Sequence, residues 1–119
     1  GLCLGLQVLF ERSEESPGVA GLGIFKGGVV KFQKGKVPQV GWNEVKPNPL
    51  NKSVIEPMWA YFVNSYYAKP EDSTLVAATT DYFGEFTCAV ASKNVIAVQY
   101  HPEKSGEEGL AFLERWLSC

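Results

Sequence analysis

The stretch Gly1-Leu2-Cys3-Leu4-Gly5-Leu6-Gln7 has the pattern G-x-C-x-G, a cysteine form of the nucleophile elbow. In an elbow the central residue lies on a strained turn between a strand and a helix, and flanking glycines avoid a clash between a Cβ and the crowded backbone. The N-terminus of the following helix favours the thiolate form of the sulfur. The pattern therefore predicts a nucleophilic Cys3, whereas the alternative is a free cysteine that simply packs as a small hydrophobic residue.

A second motif, His101-Pro102-Glu103, follows the apolar residues 95–100 and contains the only histidine of the chain. Pro102 favours extended geometry at His101, and Glu103 is near enough to hydrogen-bond one imidazole nitrogen. The other nitrogen could then take a proton from a thiol. Cys3, His101 and Glu103 are thus a candidate nucleophile, base and orienting carboxylate, although a surface turn would also account for the tripeptide.

The composition limits the classes of function. The chain has 119 residues, of which 45% are hydrophobic and 20% charged, and its net charge is −2. These values are typical of one globular domain and give no sign of nucleic-acid or membrane-surface binding. The longest apolar run, residues 58–63, is too short to span a bilayer, and no signal-peptide pattern is visible. The scattered cysteines favour reduced thiols in a cytoplasmic protein; they are Cys3, Cys88 and Cys119.

The hydrophobic pattern predicts a helix, then several strands, then a second helix. The first helix is expected over residues 4–14 because apolar residues recur at helical spacing. The strand containing Pro38 is expected to be kinked or to lie at an edge. The last two strands are expected to form a hairpin. Strands are predicted at residues 37–45, 59–67, 75–80, 86–91 and 95–100.

The second helix is predicted over residues 105–117. Ser105 and Glu108 have the spacing of a capping box, in which each side chain bonds to the backbone of the other residue. The apolar residues of this segment predict the face that packs on the sheet, and they are Leu110, Leu113 and Leu117, with Trp116 beside them.

The chain resembles the class I glutamine amidotransferases, the Cys-His-Glu glutaminases, through residues 1–7 and 99–106. Within that class it is similar to the glutaminase subunit or domain of imidazole glycerol phosphate synthase, from histidine biosynthesis. The narrower similarity rests on residues 37–43 and 61–66. The resemblance covers the whole chain. It implies an α/β, flavodoxin-like domain with a mixed sheet, flanking helices and a site at the carboxyl ends of strands.

The resemblance also implies roles for individual residues. A Cys3-His101-Glu103 triad would hydrolyse glutamine to glutamate and ammonia without a cofactor or a metal. The partner would be a cyclase (β/α)₈ barrel that receives the ammonia. The implied substrate-binding residues are Gln7, Glu15, Ser65 and Tyr66. The implied partner-facing residues are Trp42, Asn43, Tyr61 and Lys104, of which the aromatic pair could instead be ordinary core or surface residues and the lysine a solvated charge.

Two departures from the family's pattern affect these expectations. Asn64 stands where the family usually has histidine. Residues 1–119 are also expected to be a partial amidotransferase domain, its C-terminal portion, without the N-terminal strands and the glycine-rich loop that stabilises the oxyanion. An open sheet edge of this kind predicts self-association. Two alternatives stay open: an inactive fragment of that domain, and the glutaminase of an anthranilate or GMP synthase.

Overall fold

The computed structural model describes residues 1–51, 53, 55–93 and 95–118, which form one mixed eight-stranded sheet with helices packed against it. Cys119 lies outside the described residues. The helices are α1 (Leu4–Gln7) and α2 (Gly106–Leu117), and 3₁₀ turns span Ser73–Leu75 and Pro102–Lys104. The strands are β1 (Arg12–Ser13), β2 (Gly27–Lys31), β3 (Gln39–Pro47), β4 (Met58–Asn64), β5 (Tyr66–Pro70), β6 (Val76–Asp81), β7 (Glu85–Ser92) and β8 (Val95–Val98).

The strands lie in the order β1-β2-β5-β7-β6-β3-β4, and β8 pairs with β7. The β1–β2 pair is parallel and the other strand pairs are antiparallel. The first residues extend the sheet beside β8, because Leu2 pairs in parallel with Val98 and the Cys3 N–H donates to the Val98 carbonyl at 2.8 Å. Cys3 therefore follows an extended segment of the sheet, as an elbow requires.

The predicted helix over residues 4–14 is wrong after its first turn. The helix α1 ends at Gln7, and β1 begins at Arg12. Between them the main chain bonds to residues 21–27; for example, the Leu22 N–H donates to the Val8 carbonyl at 2.8 Å. Because helix formation is marginal in so short a segment, pairing with a distant segment replaces the later turns.

The strand predictions are largely confirmed, with two differences. The predicted strand at residues 59–67 is two strands, β4 and β5, because the chain turns at Ser65. The strand after Pro38 has the predicted edge position over residues 39–45, where it pairs with β4, but not at Lys46 and Pro47, where it also pairs with β6. The predicted hairpin is confirmed by the antiparallel pairing of β7 with β8.

The helix α2 lies within its predicted limits, but its side chains differ from the prediction. Ser105 and Glu108 do not form a capping box, because both side chains bond to the backbone of β4 instead. Leu110 and Leu117 are 57% and 85% exposed, so the predicted face is wrong at both positions. The residues that face the core are Gly109, Phe112, Leu113 and Trp116.

Among the residues that the structure describes, two buried clusters form the core. In the larger cluster aromatic rings meet edge to face, which is a favourable arrangement for such rings. Its aromatic members are Phe32, Phe62, Phe86, Tyr100 and Phe112. The smaller cluster packs α1 and the following segment on the sheet, and includes Leu6, Phe10, Phe25 and Val29. In the described part of the chain, no helix combines the length and apolar character needed to cross a membrane.

Candidate active site

The backbone at Cys3 has the strain expected of an elbow. Its φ is 51° and its ψ is −106°, a conformation that costs free energy in a residue with a Cβ. A Cβ on Gly1 would lie 2.8 Å from the Gly5 carbonyl oxygen, so Gly1 is crowded as predicted. At Gly5 a Cβ would meet nothing within 4 Å, so the predicted crowding affects one of the two glycines.

The sulfur of Cys3 is half-buried between a hydrogen-bond donor and an acceptor. The Gln99 side-chain Nε2 donates to Sγ at 3.5 Å, and the thiol donates to the Val63 carbonyl at 3.8 Å. Burial raises the pKa of the Cys3 thiol, although hydrogen bonds from the Leu4 N–H and Gln99 act to lower it. The predicted preference for thiolate is therefore wrong for this structure, since α1 is a single turn and burial outweighs the donors.

His101 and Glu103 form the predicted pair. The imidazole Nδ1 lies 3.1 Å from the Glu103 carboxylate Oε2, which orients the ring. Nε2 is then the ring nitrogen that could accept a thiol proton. Both residues belong to the segment between β8 and α2, where Pro102–Lys104 form a 3₁₀ turn.

The outer edge of β4 holds the cysteine and the histidine segment side by side. The Tyr61 carbonyl accepts the His101 backbone N–H at 3.0 Å, and the Val63 carbonyl accepts the Cys3 thiol. Residues two apart on a strand present their peptide groups to the same side, about 7 Å apart. Two outward-facing carbonyls of β4 thus hold the Cys3 thiol and the His101 backbone on the same strand edge.

Ser105 fastens this segment to β4, so we expect Ser105→Ala to destabilise the fold. Its hydroxyl donates to the His101 carbonyl at 2.6 Å and accepts the Tyr61 N–H at 3.0 Å, and the residue is 2% exposed. Leaving the Tyr61 N–H and the His101 carbonyl unpaired costs about 2–3 kcal/mol, or a fall in Tm of roughly 8–12 °C in thermal unfolding. Ser73→Ala, at an exposed position, is the matched control. Equal Tm values for the two variants would contradict this role.

A cavity of about 370 Å³ opens beside the sulfur. It is lined by Cys3, Leu4, Gln7, Glu15, Pro38, Val63, Asn64, Ser65 and Tyr66, which include all four predicted substrate-binding residues. The Gln7 Nε2 is already engaged, since it donates to the Tyr66 carbonyl at 3.1 Å and to the Gln99 Oε1 at 3.0 Å. His101 and Glu103 are not among the lining residues.

Asn64, the departure from the family's pattern, is a buried member of an amide network. Its Oδ1 accepts from the Gln39 Nε2 at 3.0 Å, and its Nδ2 donates to the Tyr66 carbonyl at 3.1 Å. Gln39 in turn accepts from the Asn43 Nδ2 at 3.0 Å. The asparagine therefore supports the backbone at Tyr66, which forms one wall of the cavity.

The residues predicted to face a partner do not all share one surface. Trp42 and Tyr61 are cross-strand neighbours with their rings in a T-shaped contact, and Trp42 is 55% exposed. Lys104 is exposed on the 3₁₀ turn after His101. Asn43 instead bonds within the protein to Gln39 and to the Asp81 carbonyl. The aromatic pair and Lys104 stay candidates for a partner surface.

The sequence interpretation missed the groups that hold the sulfur and the histidine segment. These are the Gln99 side chain and the carbonyls of Tyr61 and Val63. Main-chain groups carry no sequence signal. Gln99 carries a weak signal, as a polar residue directly after the apolar residues 95–98.

Comparisons with known proteins indicate a single family for this chain. The family model described as glutamine amidotransferase class-I matches residues 1–118. The chain is 52% identical to the imidazole glycerol phosphate synthase subunit HisH of Thermococcus kodakarensis, over 98% of this chain and 63% of that protein. It is 48% identical to the HisH subunit of Pyrococcus furiosus (98% and 62% covered) and 47% identical to that of Aromatoleum aromaticum (99% and 61%).

The fold is also shared with a solved structure. A crystal structure of a glutamine amidotransferase matches with a TM-score of 0.67 and 19% identity, covering 98% of this chain and 59% of the other. The chain thus spans about 60% of the length of the curated relatives that it matches.

Proposed function

Since the chain belongs to the class I glutamine amidotransferase family, we propose that residues 1–119 form the part of its domain that carries the chemistry. The proposed reaction is the hydrolysis of glutamine to glutamate and ammonia. The ammonia would supply imidazole glycerol phosphate synthesis in the histidine pathway. This proposal rests on the family and on the names of the relatives, which do not favour the anthranilate or GMP synthase alternative.

One observation carries the proposal: the strained Cys3 borders a cavity, and the strand edge that accepts its thiol also holds the segment of the His101–Glu103 pair. Cys3 meets the Val63 carbonyl and the His101 segment meets the Tyr61 carbonyl of the same strand. The cavity beside the sulfur, at about 370 Å³, has the size of a small-molecule site. This combination of nucleophile, base pair and cavity suits acyl transfer.

The proposed mechanism proceeds through a thioester. The Cys3 Sγ bonds to the side-chain carbonyl carbon of glutamine while His101 Nε2 takes the thiol proton. The carbon–nitrogen bond then breaks, and His101 gives this proton to the departing ammonia. Water adds to the thioester, with His101 as base again, and glutamate leaves as the thiol is restored. Because burial raises the pKa of the Cys3 thiol, the attack depends on the base.

The cavity wall has groups suited to glutamine. Glu15 offers a carboxylate for the substrate's α-amino group, and Ser65 and Tyr66 offer further polar groups in the cavity lining. Gln7 lies one helical turn after Cys3, where its remaining Oε1 could accept from the substrate amide. We propose these four residues as the substrate-binding set.

The proposed partner is a cyclase subunit or domain with a (β/α)₈ barrel. The relatives are named as subunits of imidazole glycerol phosphate synthase, so a partner is part of their description. On this chain the proposed contact residues are the exposed Trp42, which packs against Tyr61, and the exposed Lys104. Exposed aromatic side chains of this kind are enriched at protein interfaces.

The proposed function is tested by covalent capture. A diazoketone analogue of glutamine is expected to add once to the chain, and peptide mapping by mass spectrometry should place the adduct on Cys3. Glutamine in excess should protect, and Cys3→Ser should abolish the adduct. The fully buried Cys88 serves as an internal control that stays unmodified while the chain is folded. A folded chain without an adduct on Cys3, with and without the cyclase, would refute the proposal.

A further inference from the structure

Gln99 is a fully buried polar residue that the proposed mechanism does not use. It lies directly after β8, its exposure is 0%, and its backbone N–H donates to the Cys88 carbonyl at 2.8 Å. Burying a carboxamide is unfavourable unless both ends are hydrogen-bonded. The partners of this side chain therefore explain why a glutamine is accommodated here.

Both ends of the Gln99 side chain have partners at the site. Oε1 accepts from the Gln7 Nε2 at 3.0 Å, and Nε2 donates to the Cys3 Sγ at 3.5 Å. We propose that Gln99 is a dedicated hydrogen-bond donor to the nucleophile, which fixes the position of the sulfur and stabilises its thiolate. The inference rests on the proposed function in that it takes Cys3 as the nucleophile.

The direction of these hydrogen bonds follows from the chemistry of the partners. The Tyr66 carbonyl can only accept, so Gln7 must present its NH₂ group to it. The same NH₂ group faces Gln99, which must therefore turn its oxygen towards Gln7. The NH₂ group of Gln99 is then left facing the sulfur. If the Gln99 amide were reversed, its NH₂ group would face the NH₂ group of Gln7. The network therefore fixes Gln99 as a hydrogen-bond donor to the Cys3 sulfur.

A donor at this position acts on the ionised sulfur more strongly than on the thiol, because charge-assisted hydrogen bonds are stronger. Its effect opposes burial, which raises the pKa of Cys3, and the carboxylates of Glu103 and Glu15, which raise it further. The Leu4 N–H also acts on the thiol, and the thiol itself donates to the Val63 carbonyl. Gln99 thus partly offsets the effect of burial and of the two carboxylates on the pKa of Cys3.

The test is the pH dependence of Cys3 alkylation by iodoacetamide, read by peptide mapping. Gln99→Met keeps the side-chain length and removes the donor. We expect its alkylation midpoint to move up by about one pH unit, which is roughly tenfold slower alkylation below the midpoint. Gln99→Glu keeps an acceptor for Gln7 but sets a carboxylate beside the sulfur, so its midpoint should move at least as far. Gln33→Met, at an exposed glutamine bonded to the Lys31 carbonyl, should leave the midpoint unchanged.

Protection of the buried Cys88 from the same reagent reports that each variant is folded. A protected Gln99→Met with the midpoint of the parent chain overturns the inference. If Gln99→Met exposes Cys88, Gln99→Glu decides by the same criterion, because it retains the contact with Gln7. Iodoacetamide needs no glutamine site, so a shifted midpoint without capture of the diazoketone would refute the proposed function and leave the role of Gln99 standing.

Discussion

Replacing His101 with glutamine is expected to slow capture of the diazoketone by Cys3 about 10²–10⁴-fold at pH 7, the usual contribution of a general base. The pKa of the thiol is raised by burial, so at this pH most of the sulfur is protonated and the base must remove the proton. The change should spare the fold, because the contact of His101 with Tyr61 is made by its backbone N–H. Rates of adduct formation by mass spectrometry provide the measurement.

The same variant should recover as the pH rises. Below the thiol pKa, each pH unit increases the thiolate about tenfold without help from a base, so the deficit should narrow towards alkaline pH. Lys34→Gln, an exposed loop position, is the control and should match the parent chain throughout. Equal rates for His101→Gln and the parent chain at pH 7 would rule out His101 as the base.

Replacing Gly109 with alanine should destabilise the protein by about 3 kcal/mol, although alanine normally favours a helix by about 1 kcal/mol over glycine. A Cβ at Gly109 would lie 2.0 Å from the Pro102 carbonyl oxygen and 2.8 Å from the Ser105 Cβ. The helix must therefore move away from the turn that carries His101. The expected fall in Tm is roughly 12 °C in thermal unfolding.

Glu107→Ala is the matched control for Gly109→Ala, since it makes an alanine at an exposed position of the same helix. It should change Tm by no more than a few degrees. The glycine variant should also slow the capture of the diazoketone by Cys3 below its Tm, because the displaced turn carries the base. A Gly109→Ala protein as stable as the control would mean that α2 does not fix this turn.

The sequence predicted the sheet better than the first helix. The strands at residues 75–80, 86–91 and 95–100 and the helix after Ser105 have strong local patterns, and each is present. The segment after Gln7 has an equally good helical pattern. Its structure depends instead on main-chain bonds to residues 21–27, and no local pattern reports such distant pairing.

The sequence likewise predicts some residues of the candidate site and not others. The motif residues Cys3, His101 and Glu103 could be identified because each belongs to a short pattern with a chemical reason. The predicted face of α2 is confirmed at Leu113 and Trp116, but the leucine pattern does not reveal that Gly109 and Phe112 are its buried residues. Gln99 could not be assigned a role without the fold, since its partners, Cys3 and Gln7, lie more than 90 residues away.

The edge of β4 has one more consequence, for how this protein can vary. Cys3 and the His101 segment are attached to the main-chain carbonyls of Val63 and Tyr61. Their spacing is therefore set by the backbone of β4 and does not depend on the side chains at positions 61 and 63. Substitutions at either position should therefore keep the spacing. Inserting or deleting one residue in β4 would instead turn outward the carbonyls that now point towards β3, and this would release both Cys3 and the His101 segment. The site should therefore tolerate substitutions in β4, but not a change in the length of this strand.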